Sequence, residues 1–100
     1  MEAVPELIKM VGADLSPVVR SHAVGALGRL GEPDVVVPVL LDALRDDDAG
    51  VSACAAEELG SVGDETAIEP IRAAAVGAHL LRRGAYSKAV RKIRRRTRTH

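Results

Sequence analysis

Two stretches of the chain carry apolar residues in steps of four, four and three: Val19, Ala23, Leu27, Leu30, and then Val51, Ala55, Leu59, Val62. Those steps hold one face of a 3.6-residue helix. Ser16 before Pro17 reads as an N-cap followed by proline at the first helical position, and Asp48 takes the capping role before the second stretch. Gly31 and Gly63 follow as stops. After each stop comes a short turn and a second amphipathic helix. Val36, Val39, Leu40, Ala43 and Leu44 mark the apolar face of one, and Ile68, Ile71, Ala75 and Val76 that of the other. Pro38 and Pro70 fit if each helix begins only two or three residues earlier, where backbone N–H groups have no intrahelical partner, with a short 3₁₀ turn in front. Upstream, Pro5, Leu7, Ile8, Met10 and Val11 look like another second helix. Downstream, a break at Arg83-Gly84 precedes a stripe of Tyr86, Ala89, Val90 and Ile93. No strand-like alternation occurs, so the fold class is all-α.

The two stretches are in register at an offset of thirty-two residues: Val19 meets Val51, Leu27 meets Leu59, Gly28 meets Gly60, and Pro38 meets Pro70. A period in this range marks a chain built by stacking one supersecondary unit. The pattern predicts a short α-solenoid of helical hairpins with about six helices in one domain. It divides into a half repeat over 1–14, full repeats over 16–47 and 48–82, and a closing basic helix over 85–97. The junction Gly12-Ala13-Asp14-Leu15 is one residue longer, since Pro5 and Pro38 are thirty-three apart. Leu27 and Leu59 are expected at equivalent buried places between the helices of their own hairpins.

The phrase VRSHAVGALGRLGEPDVVVPVLLDALRDDD resembles the HEAT-like repeat named after phycobilin lyases. Its marks are a Val-Arg start, an Ala-rich middle, Leu-Gly-x-Leu-Gly, an acidic turn and a proline-bearing second helix. The resemblance covers residues 4–76 with an echo at 85–93, and departs at Ser52, in place of Arg, and at Gly77–Leu81, in place of the acidic turn. It implies a stack whose second helices line a concave surface and whose first helices line the convex one. It also makes a subunit of a lyase or cofactor-handling complex one reading of the chain, although such repeats serve many functions.

Composition narrows the chemistry. With no Phe or Trp and only Tyr86 as an aromatic, the core must be Ala, Val, Leu and Ile, which suits closely spaced helices. Cys54 is alone, so no disulfide forms within the chain. The start MEAVPELIKM is acidic and has no signal-peptide pattern, and no apolar run is long enough to span a membrane, so the expectation is a cytoplasmic protein without membrane contact. The formal net charge of zero hides a separation: residues 1–69 carry −10 and residues 70–100 carry +10.

Asp46-Asp47-Asp48 has the acids of a cation loop but not the alternating ligands or the downstream Glu, and reads as an inter-repeat turn. His22, His79 and His100 are scattered, and none is followed by Glu. Cys54 reads as a small buried side chain, and Gly28, Gly60, Ala23, Ala55 and Ala56 as close-packing positions. No nucleophile–base pair, CxxC or phosphate loop is present. The sequence therefore predicts no catalytic, cofactor-binding or metal-binding residue, and a protein that is not an enzyme.

What remains is binding. The expected role is a protein-binding adaptor or scaffold. Its contacts should come from Asp42, Arg45, Glu69 and Arg72 on the second helices, and from Lys88, Arg91, Lys92 and Arg95 on one face of the last helix. Arg94, Arg96 and Arg98 widen that face. Residues 82–100 hold nine bases and no acid, so an acidic protein or a nucleic acid is an alternative partner. The half-covered apolar side of the first helix makes weak self-association through that end a further expectation.

Overall fold

The computed structural model describes residues 3–13, 16–78 and 82–97. Asp14, Leu15, His79, Arg98 and His100 lie outside the described residues. Six α-helices follow in order: α1 (Ala3–Ala13), α2 (Pro17–Leu30), α3 (Pro33–Ala43), α4 (Ala49–Val62), α5 (Ile68–Val76) and α6 (Arg83–Thr97). No strand occurs among the described residues. The described part forms a slab of 34 × 31 × 15 Å.

Local chemistry starts the helices as the sequence predicts. Ser16 Oγ accepts from the Val19 N–H at 3.4 Å, and Asp48 Oδ2 accepts from the Val51 N–H at 3.1 Å. The stops differ from expectation. Gly31 and Gly63 close α2 and α4 in extended backbone, at φ −91° and −82°, rather than in the left-handed cap that glycine often supplies. The expected 3₁₀ turn precedes only α5, at Glu65–Ala67. There Asp64 Oδ1 accepts from the Thr66 N–H and hydroxyl. The helix α3 instead starts directly at Pro33 and carries Pro38 in its interior. Pro38 leaves the Asp34 carbonyl without its helical donor; both residues are exposed, so water can serve that oxygen. The expected break at Arg83-Gly84 is also absent, because α6 begins at Arg83.

The helices form two layers, with α2, α4 and α6 in one and α1, α3 and α5 in the other. The closest packing runs α2 to α4 to α6, and from each second helix onto the first helix that follows it: α1 on α2, α3 on α4, α5 on α6. Helices of one hairpin approach each other less than this. Leu27 and Leu59 are fully buried, on the first helices α2 and α4. With Leu40, Ile71, Ile93, Val24, Val36 and Val51 they form one continuous core, each side chain contributing about 1.5–3 kcal/mol through burial. Tyr86, Ala89, Val90 and Ile93 dock α6 as predicted. Two positions assigned to apolar faces lie outside the core: Leu30 is 52% exposed and Val76 is 80% exposed.

Small residues let the first-helix layer close. A Cβ at Gly60 would lie 3.0 Å from the Ala89 Cα, so α6 approaches α4 to near backbone contact. At the equivalent Gly28, the space a Cβ would fill is taken by the side chain of Glu58.

Candidate partner-binding surface

The three aspartates at the junction of the repeats each have a separate structural position. Asp46 accepts from the Arg20 guanidinium at 2.9 and 3.1 Å and from the Asp48 N–H at 2.8 Å. Burial alone would raise the Asp46 pKa. The hydrogen bonds from Arg20 and the Asp48 N–H, with the Arg20 charge, outweigh that and hold it below the ordinary carboxylate range. Asp48 caps α4, and Asp47 is exposed. The cluster is a turn, as the sequence reads it.

One repeat later this lock is replaced as a pair. The register puts Ser52 where Arg20 stands and Ala78 where Asp46 stands. Ser52 is buried; its Oγ lies 2.7 Å from the Leu44 carbonyl oxygen, to which it donates, and 2.7 Å from the Tyr86 hydroxyl. The tyrosine hydroxyl can therefore donate to Ser52. A charged lock between repeats gives way to a neutral one that fastens α6.

The bases of α6 do not act as one face. Arg96 reaches back to the end of α4, donating to the Gly60 carbonyl at 2.6 Å and to the Gly63 carbonyl. It neutralises the negative end of that helix. Lys92 Nζ donates to Ser61 Oγ at 3.3 Å, and Lys88 and Lys92 share a small cleft with Glu57 and Glu58 of α4. Glu58 is pushed up by burial, and by its neighbour Glu57, against the pull of Arg29 and Lys92. Arg91 and Arg94 lie on the opposite flank, toward α5. Arg95 is exposed.

Two openings border the second helices, one between α3 and α5 and one where α5 meets α6 of the other layer. Between α3 and α5 a groove of about 330 Å³ is lined by Leu41, Leu44, Arg45, Pro70, Ala73 and Ala74. Between α5 and α6 a cleft of about 260 Å³ has Ile71, Ala75 and Val90 at its base and Arg72, Arg91 and Arg94 around it. Of the residues expected to contact partners, Asp42 and Glu69 are exposed on α3 and α5, and Arg72 pairs with Glu69 at 3.2 Å. Arg45 stands past the end of α3, in the turn, rather than on the helix. The structure thus brings Arg72 together with Arg91, and separates both from Lys88 and Lys92. Arg94, which the sequence treats only as widening the basic face, belongs to the same cleft as Arg91. The signal was there in the spacing, since residues 90, 91 and 94 share a helix edge.

Cys54 is half-buried rather than fully buried, and its thiol is pushed up by burial and by Glu57 and Glu58, against a Ser21 hydrogen bond and the Arg82 charge. It is held away from the reactive thiolate form. His22 is exposed on α2. Among the described residues, no helix is long and apolar enough to cross a membrane.

No curated protein matches this sequence. A family profile described as HEAT repeats matches residues 2–91, nearly the whole span over which the helices stack in register. Paired helices with a proline inside the second, glycines at thirty-two-residue intervals and a layered stack agree with that match, and the chain belongs to the HEAT repeat family.

Proposed function

We propose that this chain is a non-enzymatic, cytoplasmic protein-binding module that serves as an adaptor or scaffold. One observation carries the reading. The second helices pack onto the following first helices rather than closely against one another, and openings of mixed apolar and arginine character border them, between α3 and α5 and beside α6. Repeat-to-repeat packing makes that surface rigid before binding, so little ordering is needed on contact. Binding of nucleic acid or another polyanion through α6 is the second reading, favoured by the density of exposed bases there. The hydrogen bonds that tie Arg96 and Lys92 to α4 weigh against it. The likeness of the first repeat to the phycobilin-lyase type supports a similar repeat geometry, and we assign no cofactor on that basis.

Chemical cross-linking in native cell extract, with partners identified by mass spectrometry, tests this reading. The parent protein should capture a reproducible set of proteins that the pair Arg45→Glu and Arg72→Glu loses. Capture dominated by nucleic acid, with affinity falling steeply as salt rises, would favour the polyanion reading instead. Removal of residues 85–100 is the wrong comparison, because it strips Tyr86 and Ile93 from the core.

A further inference from the structure

The clefts beside α6 differ in what they leave unneutralised. On the α4 side, Lys88 and Lys92 face Glu57 and Glu58, so that cleft supplies its own counter-charges. On the α5 side no acid lines the cleft, and the guanidinium groups of Arg91 and Arg94 make no hydrogen bond or ion pair among the described residues. Arg72 on the facing helix is tied only to Glu69, in an exposed pair of the kind worth little. Beneath these guanidinium groups lie Ile71, Ala75 and Val90. The volume, about 260 Å³, falls below the usual range for a whole small-molecule site and suits one side chain.

We propose that the α5–α6 cleft binds an acidic peptide segment of another protein, seating one aliphatic side chain against Ala75 and Val90, above the buried Ile71, while flanking carboxylates pair with Arg91 and Arg94. The proposal rests on the protein-binding reading above and gives it a ligand chemistry. Planar guanidinium groups match carboxylates in bidentate geometry, and the apolar base demands an apolar group between them. A single-stranded nucleic acid would instead use aromatic platforms for its bases. The one Tyr of this chain, Tyr86, borders the cleft, but it is 2% exposed with its hydroxyl at Ser52, which leaves no open ring face for a base.

Fluorescence anisotropy tests it with a short labelled peptide of Asp and Glu around one Leu, its twin carrying Ser for Leu, and labelled oligo-dT. Arg91→Gln with Arg94→Gln should weaken the Leu peptide by about tenfold, and the Ser twin should bind the parent protein about tenfold less well. Lys9→Gln with Arg29→Gln removes the same charge away from the cleft and should change affinity by less than about twofold. Circular dichroism should show both pairs folded, since all four side chains are exposed. The proposal is overturned by equal losses in the two pairs, by indifference to the Leu, by oligo-dT binding as tightly as the peptide, or by no peptide binding at low salt. Self-association that the Arg91/Arg94 pair abolishes and the peptide does not compete for would assign the cleft to a second copy of the chain. Cross-linked partners that survive the Arg91/Arg94 pair would leave the adaptor reading standing and remove the cleft from it.

Discussion

Repeat one and repeat two share a register but are fastened by different chemistry. In the first, Arg20 on α2 crosses to Asp46 in the turn after α3, and the same carboxylate receives the Asp48 N–H that opens α4. One unit later both charged positions are gone, and Ser52 joins the Leu44 carbonyl to Tyr86. The first lock is built from a helix and the turn that follows its hairpin. The second needs a hydroxyl from α6, a third element. The difference teaches that Ser52 has a structural task of its own at the Arg20 position: it holds the last helix. The layer also tightens there, with Gly60 against the Ala89 backbone where Gly28 meets only the flexible Glu58.

The largest break in this comparison should come from the core. Leu27→Ala and Leu59→Ala should each cost about 2–5 kcal/mol. Leu59 should sit nearer the upper value, because α4 packs on α2, α3 and α6 while α2 packs mainly on α1 and α4. Denaturant melts followed by circular dichroism measure both; a smaller loss for Leu59→Ala would contradict the central place of α4. Next come the paired glycines. Gly60→Ala should destabilise by about 1–3 kcal/mol, because a backbone must move, whereas Gly28→Ala should be within about 1 kcal/mol of neutral, since Glu58 can swing aside.

The charged lock should then separate from the neutral one by pH. The folded pKa of Asp46 is depressed, so its contribution is present above the unfolded value near 3.8 and is lost as pH falls through the lower folded value. Asp64, lowered by Thr66, acts in the same direction, and Glu58, raised by burial, acts in the opposite one. An Asp46→Asn variant should therefore lose stability near neutral pH and show a shallower fall in Tm than the parent on the acid side of pH 4, measured by thermal scans across that range. An Asp46→Asn curve parallel to the parent's would mean the pair with Arg20 contributes nothing. Of the two locks, the neutral one should show the smaller effect, in Tyr86→Phe. Ser52 keeps its bond to the Leu44 carbonyl, so the loss should be about 0.5–1.5 kcal/mol with no change in its pH dependence.

Much of this architecture was legible because it is local. The caps at Ser16 and Asp48, the stripe on α6 and the buried Leu27 and Leu59 follow from spacing and side-chain chemistry within one turn or two. The misjudged positions lie where a neighbour's reach decides. Leu30 and Val76 keep helical spacing with the core, but they stand at the ends of their helices and are largely exposed. Pro38 reads as a first-turn residue until α3 is seen to start at Pro33. The joint departure at Ser52 and Ala78 is visible in the register, yet the partner of Ser52 is a tyrosine thirty-four residues further on. The basic run was legible as charge and not as a site. Only packing assigns Arg96 to the end of α4, Lys92 to Ser61, and Arg91 and Arg94 to the open cleft.

The placement of Tyr86 also makes the molecule its own spectroscopic probe. With no Trp or Phe, all near-ultraviolet signal from aromatic side chains arises from one phenol ring wedged at the seam of α4 and α6. Its emission and its near-ultraviolet circular dichroism report the docking of the closing helix, while the far-ultraviolet amide band reports every helix at once. Two transitions recorded on one unlabelled sample thus tell whether the last helix peels away before the stack dissolves or leaves together with it.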